Sequence, residues 1–381
     1  MRHKLFIGIT FNIALLGVVS LLTDVSSELI MPLLPLFLIT FGATPLIVGL
    51  IEGVSDCTSS ILKVFSGYCS DRIGKRKCFV SAGYITSALA KIFLPFSFMW
   101  HHVLSIRFFD RIGKGVRTAP RDAMISESAF EERKGKAFGF HRACDTSGAI
   151  LGSLLAILLF PLSSYRGIFL IAIIPACSAA ILTLLVKEKI AKSAVKKLNF
   201  SSLPKEFKIF IVITALFSLG NFSYAFMLLR AKMFTESITC ILLLYLLFNI
   251  LYTLLAVPSG VLSDKIGRPK VLTLGYGITS LMFLGFAFTN SLNICLLLFL
   301  LYGLARAINE TVQRTFVADL SSKELRGSAF GIYHIVVGLA ALPSSLIAGA
   351  LWCYVSASAA FIFSFLLTFL ALLLFMIMRK F

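Results

Sequence analysis

Gly67-Tyr-Cys-Ser-Asp-Arg-Ile-Gly-Lys-Arg-Lys77 recurs in the same chain as Gly260-Val-Leu-Ser-Asp-Lys-Ile-Gly-Arg-Pro-Lys270, and each copy interrupts a long apolar stretch. The two aspartates stand 264 − 71 = 193 positions apart in a chain of 381 residues, so the second half restates the first. A period of that length is not a short solenoid unit. A second echo, Gly135-Lys-Ala-Phe-Gly139 against Gly327-Ser-Ala-Phe-Gly331, is spaced by 327 − 135 = 192. One residue of drift implies a nearly gapless duplication.

Working outward from these loops, the chain reads as a membrane protein. Hydrophobic residues make up 58% and charged ones 14%, with a mean hydropathy of +0.92, whereas soluble domains carry about 25% charged residues. A bilayer core takes ~20 predominantly apolar residues per helix. Twelve such spans are centred near residues 20, 55, 88, 112, 148, 175, 218, 250, 280, 304, 338 and 367. The expected architecture is all-α and integral to the membrane: a six-helix bundle over 1–186, a polar connector over 187–206 and a second six-helix bundle over 207–381.

Basic residues sort by loop parity, and basic loops stay cytoplasmic. Arg2 and Lys4, both repeated loops, the segments 131–136, 187–208 and 323–326, and Arg379-Lys380 fall on one side. The opposite loops, at 40–45, 289–293 and 352–358, are nearly uncharged, and only Arg166, Arg230, Lys232 and Glu236 dilute them. Both termini are therefore expected in the cytoplasm, and topology accounts for most of the formal charge of +18 without a nucleic-acid partner. The first apolar segment carries Asp24 and Glu28 and is followed by no small-residue cleavage site, so it reads as a retained span. Eight cysteines lie singly, without metal-type spacing, as expected of small core residues. Asn199-Phe-Ser201 is a glycosylation sequon on the side expected to be cytoplasmic; Asn221-Phe-Ser223 and Asn309-Glu-Thr311 are expected within helices.

Charges inside spans are costly and face a bundle interior or water. On the fourth span, Arg107, Asp110, Arg111, Lys114, Arg117, Arg121 and Asp122 fit within about 140° of a helical wheel. That stripe is either a set of ion pairs tying helices together or the basic wall of a solute cavity, the latter chiefly through Arg107, Asp110, Arg111 and Lys114. On the second span, Glu52, Asp56, Ser59 and Lys63 share about 60° of the wheel, and on the first Asp24 and Glu28 lie one above the other. These four carboxylates are expected beside the fourth span. Desolvation raises a carboxyl pKa and a nearby Arg lowers it, so such a cluster can exchange protons near neutral pH. Asp24, Glu28, Glu52 and Asp56 are the candidate proton sites, Glu28 and Asp56 foremost. Lys91, His141, Arg142 and Asp145 extend the charged interior. In the second half, Arg306, Glu310 and Arg314 share one face of the tenth span, where Glu310 can satisfy both arginines or the arginines can anchor a solute.

Both copies of the repeated loop resemble motif A of the major facilitator superfamily, G-x-x-x-[DE]-[RK]-x-G-[RK]-[RK]-[RK], and the resemblance covers the whole chain. The matching positions are Gly67, Asp71, Arg72, Gly74, Lys75 and Arg76, and then Gly260, Asp264, Lys265, Gly267 and Arg268; only Pro269 departs from the pattern. The resemblance implies that Asp71 meets the N-terminus of the eleventh span, a charge–dipole contact that holds the cytoplasmic side closed, and that Asp264 does the same toward the fifth. Arg107 matches the motif B arginine. Glu127 and Asp319 match the acidic residue that ends that motif and are expected to bridge to the motif A bases. Gly148-Ala-Ile-Leu-Gly152 looks like part of the antiporter motif C with Ser153 in place of proline, or else is a small-residue packing seam. The segments Leu21-Leu-Thr-Asp-Val-Ser-Ser-Glu28, Asp110-Arg-Ile-Gly-Lys-Gly-Val-Arg-Thr-Ala-Pro-Arg-Asp122 and Glu310-Thr-Val-Gln-Arg314 resemble a prokaryotic subfamily of mostly unassigned substrate.

The implied function is a secondary transporter in the plasma membrane, of bacterial inner-membrane type, with the solute site near the midplane. Its expected partners are a small organic solute, a coupling proton and the lipid bilayer, and it is expected to be monomeric and to need no cofactor or metal. Efflux antiport competes evenly with uptake symport of an anionic or zwitterionic metabolite. No G-x-x-x-x-G-K-[ST] loop, H-E-x-x-H or G-x-S-x-G element supports ATP drive or an enzyme. The alternatives are a non-transporting membrane sensor and a membrane-embedded enzyme acting on a lipid-linked substrate.

Overall fold

A computed structural model of the chain describes residues 10–130, 134–188, 203–322 and 325–378. Arg2, Lys4, Lys323, Arg379, Lys380, and most of the connector with Asn199, lie outside the described residues. Within them the regular structure is helical throughout. The helices are α1 (Phe11–Ile30), α2 (Leu34–Thr40), α3 (Pro45–Ile73), α4 (Arg76–Phe93), α5 (Trp100–Ser128), α6 (Lys134–Leu159), α7 (Tyr165–Thr183), α8 (Lys205–Gly220), α9 (Ala225–Lys232), α10 (Ile238–Ile266), α11 (Arg268–Phe288), α12 (Leu292–Asp319), α13 (Arg326–Tyr354) and α14 (Ala357–Met378).

All twelve sequence-assigned centres fall inside these helices. Among the described residues, eleven helical stretches are long and apolar enough to cross a bilayer. The twelfth span is α5, whose 29 residues reach about 43 Å at 1.5 Å per residue. Its charged stripe, and not its length, sets it apart from the others.

Two spans are interrupted, a feature the apolar pattern does not reveal. The first divides into α1 and α2 at residues 31–33, where Pro32 and Pro35 remove backbone donors and clash with the preceding turn. The seventh divides into α8 and α9 at residues 221–224, so Asn221 and Ser223 lie in a break and not in a helix. There the Ser223 hydroxyl accepts from the Ala225 amide at 3.3 Å, satisfying an open donor at the start of α9.

The chain forms two compact units. One comprises Met1–Phe37 and Ile61–Val195; the other comprises Leu38–Ser60 and Lys196–Phe381. In the first, α1 packs on α6 and α7, and α4 packs on α5 and α7. In the second, α8 packs on α13 and α14, α11 on α12 and α14, and α10 on α12. The second unit also takes in the first half of α3, which lies on α13 so tightly that a Cβ at Gly349 would stand 2.7 Å from Leu46 Cα and one at Gly53 2.9 Å from Leu342 Cα. Its core is aromatic, with Phe217 stacked on Tyr276 at 4.0 Å and Phe210 edge-on to Phe316 at 4.8 Å. The first unit is built on aliphatic residues such as Ile13, Leu16, Val80 and Ile125.

Two of the charges that broke the loop-parity pattern act as helix caps. Arg230, 8% exposed, donates to the carbonyls of Phe286, Ala287 and Thr289 at the end of α11, where helix carbonyls lack intrahelical partners. Arg166 donates to Ser97 O at 3.1 Å and lies over the Phe98 ring. The cysteines depart from the expected core: only Cys295 is buried, and Cys69, Cys78 and Cys353 are exposed. An apolar helix in a membrane presents as much surface to lipid as to its neighbours, so an apolar setting does not by itself mean burial.

Candidate functional site

A crossing of two glycines builds one half of the site in the first unit. A Cβ at Gly83 of α4 would lie 2.6 Å from the Gly113 carbonyl oxygen, and one at Gly113 of α5 would lie 2.5 Å from that of Gly83. Backbones this close bring Ser87 and Lys91 of α4 against Arg107, Asp110 and Arg111 of α5. Asp110 is the hub: it accepts from the Ser87 hydroxyl, from Arg107 Nη1 at 3.4 Å, and stands 3.9 Å from Arg111 Nε. Lys91 Nζ donates to Ser26 Oγ at 3.0 Å and Ser27 Oγ at 2.9 Å of α1. A small cleft opens among Ser27, Ile30, Lys91, Arg107 and Asp110. Lys91, Arg107, Asp110 and Arg111 are all buried.

A second charged layer lies where α1 crosses α6. A Cβ at Gly148 would be 2.5 Å from Leu21 O and 3.1 Å from Asp24 Cβ; one at Gly152 would be 2.6 Å from Val25 O and 2.8 Å from Glu28 Cβ. The Gly148/Gly152 pair is thus used for close helix packing. Ser20 Oγ donates to Asp145 Oδ1 at 2.5 Å, Arg142 Nη1 stands 3.3 Å from Asp145 Oδ2, and Arg121 pairs with Asp122 at 2.9 Å. Arg117 lies 4.4 Å over the Tyr84 ring, a cation–π contact. Lys114 is exposed on α5 and within electrostatic reach of Asp24. Lys63, half-buried on α3, precedes Ser66, whose hydroxyl donates to Gly115 O at 2.9 Å.

Glu52 and Asp56 lie on the part of α3 that belongs to the second unit. Ser223 Oγ donates to Glu52 Oε2 at 3.2 Å, and Asp56, exposed, acts electrostatically on Tyr302. In the same unit, Glu310 accepts from Arg306 Nε at 2.7 Å and from Tyr252 OH at 2.7 Å. The Arg306 guanidinium also lies 5.6 Å from the Phe248 ring centre and 5.5 Å from that of Tyr252. Arg314 is exposed two turns on. Sequence reading missed Tyr252 and Tyr302; Tyr302 stands one helical turn before Arg306, a spacing that would have found it.

Each repeated loop closes on its own arginine. Arg76, buried, is bonded to Asp71 at 2.7 Å and to Glu127. Arg268 bridges Asp264 and Asp319, each at 2.5 Å, and donates to Ser263 Oγ at 3.0 Å. Gly74 and Gly267 sit at φ +73° and +95°, a left-handed backbone that a side chain resists. Gly67 faces Ala119 and Gly260 faces Thr311, so the outer glycine of each copy lets a helix approach its neighbour. Arg72, Lys75 and Lys265 point to the exposed side.

The sequence profile of the Major Facilitator Superfamily matches residues 16–234 and again 209–380, and the chain belongs to that superfamily. An uncharacterised MFS-type transporter of Methanocaldococcus jannaschii is 46% identical over 352 residues, which cover 90% of this chain and 88% of the relative. The cis,cis-muconate transport protein of Acinetobacter baylyi is 25% identical over 310 residues, covering 74% of this chain and 73% of that protein. Among solved structures, a nucleoside transporter matches with a TM-score of 0.80 at 15% identity, over 98% of this chain and 100% of that one. A bacterial homologue of the human lysosomal transporter Spinster, in an inward-facing and occupied conformation, matches with a TM-score of 0.80 at 14% identity over 97% and 96%. The chain is an integral membrane transporter of a small molecule.

Proposed function

We propose that this transporter carries a small organic anion across the plasma membrane by alternating access, in symport with protons, with the acidic end of the solute held in the first unit. The observation that carries the reading is the charge set in that unit's interior. Lys91, Arg107, Arg111, Lys114, Arg117, Arg121 and Arg142 outnumber Asp24, Glu28, Asp110, Asp122 and Asp145. In the second unit the balance is even, with Glu52, Asp56 and Glu310 against Arg230, Arg306 and Arg314. A focused positive field in a low-dielectric cleft attracts an anion more strongly than the same charges in water. The relative from Acinetobacter is named for a dicarboxylate, in keeping with this preference. The close packing of Gly148 and Gly152 against α1 supports the small-residue reading of that segment, which makes no claim for export.

The test is uptake of labelled carboxylates, cis,cis-muconate among them, into proteoliposomes under an inward proton gradient. Uptake of an acid, abolished by a protonophore and lowered at least tenfold in Arg107→Gln, is the expected result. Movement of cationic compounds alone, or acid uptake indifferent to the gradient, would overturn it.

A further inference from the structure

We propose that Asp24 and Asp145 form a carboxyl–carboxylate pair that holds a single proton between α1 and α6, and that this pair is the coupling site. The inference rests on the proton symport proposed above and names its atoms.

The crossing of α1 and α6 forces the two side chains together. Asp24 touches the turn of α6 at Gly148, three residues after Asp145, because no side chain there holds the helices apart. Ser20, one turn before Asp24 on the same face of α1, already holds Asp145 by its hydroxyl at 2.5 Å. Asp24, one turn on from Ser20, therefore faces the same turn of α6 as the Asp145 carboxylate, near enough for the two to act on each other electrostatically. Two carboxylates so placed repel unless a proton lies between them, and the pair then titrates as one unit.

The surroundings settle where the proton rests. Asp145 receives the donors, Ser20 Oγ and Arg142 Nη1, with Arg121 adding its field and His141 beside it. A carboxylate so bonded is the acceptor of the shared hydrogen bond, so Asp24 carries the O–H. Asp24 itself faces Lys114 and Arg117 from α5, Lys91 from α4 and Glu28 from its own helix. In the step the Asp24 carboxylate takes a proton from hydronium on one side of the membrane, leaving water, and returns it to water as hydronium on the other. When Asp24 is protonated, Lys114 loses an anionic neighbour, and an anionic solute can take its place. Proton and solute thereby bind together, as symport requires.

The pair can be read without any solute. Infrared difference spectra of the purified chain, in H2O and D2O across a pH titration, should show the C=O stretch of one buried carboxylic acid at neutral pH. Asp24→Asn should remove that band. Asp145→Asn should remove it too, because a lone Asp24 beside Lys114 ionises. Glu28→Gln and Asp56→Asn should leave it in place. Persistence of the band in both Asn variants, its absence from the wild-type chain, or its loss in Glu28→Gln would overturn the proposal. Transport uncoupled from protons with the band intact would instead reject the symport reading and leave the pair standing.

Discussion

At the scale of single residues, Asp110 shows how a carboxylate is tolerated deep in a helix bundle: it collects a hydroxyl and two guanidinium groups from two helices. Breaking such a buried set by removing one member leaves the others uncompensated, at a cost of about 3–5 kcal/mol. Asp110→Asn should lower the thermal unfolding midpoint of the detergent-purified chain accordingly, and an unchanged midpoint would show that Arg107 and Arg111 are held elsewhere. Arg230→Met should take a donor from the carbonyls of Phe286, Ala287 and Thr289, an effect of about 1.5–3 kcal/mol for a charged hydrogen-bond donor, seen as faster hydrogen exchange at the end of α11 and the amides after it. The fourth-span stripe was legible because seven charges on one wheel face are visible in a single helix. Ser87 and Lys91 were not tied to it, since no one-dimensional period reports which neighbouring helix supplies the partner. Asp145 was noticed in the sequence, but its pairing with Asp24 depends on a crossing angle that residue spacing does not encode.

At the scale of elements, the glycines divide into two kinds. Gly83, Gly113, Gly148 and Gly152 occupy crossings where a Cβ would meet backbone within 2.5–2.6 Å, whereas Gly139 has nothing within 4 Å. Gly83→Val should therefore destabilise by about 1–3 kcal/mol or more through overpacking. Gly139→Ala should be neutral or stabilise by about 0.5–1 kcal/mol, since it only removes chain entropy from a helix. Thermal unfolding of the two variants side by side checks the contrast, and equal effects would refute the close-crossing assignment. Span positions were readable because ~20 apolar residues are a strong signal. The break in the first span had a visible cause in Pro32 and Pro35. The break in the seventh has no proline and depends on the Ser223 cap, which competes with a helix only in its tertiary setting.

At the scale of the whole molecule, the duplication fixes a shared frame and leaves the chemistry unequal. Both units repeat the same order of helix contacts and the same arginine-centred loop, yet the first holds the larger charge set. Arg76→Ala and Arg268→Ala should each reduce gradient-driven flux in proteoliposomes while the purified protein stays folded. The effect should be larger for Arg76, whose side chain is 8% exposed against 23% for Arg268. Equal flux in both variants and wild type would show that these loops only stabilise the fold. The Arg230 cap also bears on how the chain is made. Arg230 leaves the ribosome 286 − 230 = 56 residues ahead of Phe286, the first carbonyl it serves, an interval of roughly 3–11 s at 5–20 residues per second. Throughout that interval its guanidinium must stay with water or lipid headgroups, so the end of the seventh span reaches its final depth only after the ninth has been inserted.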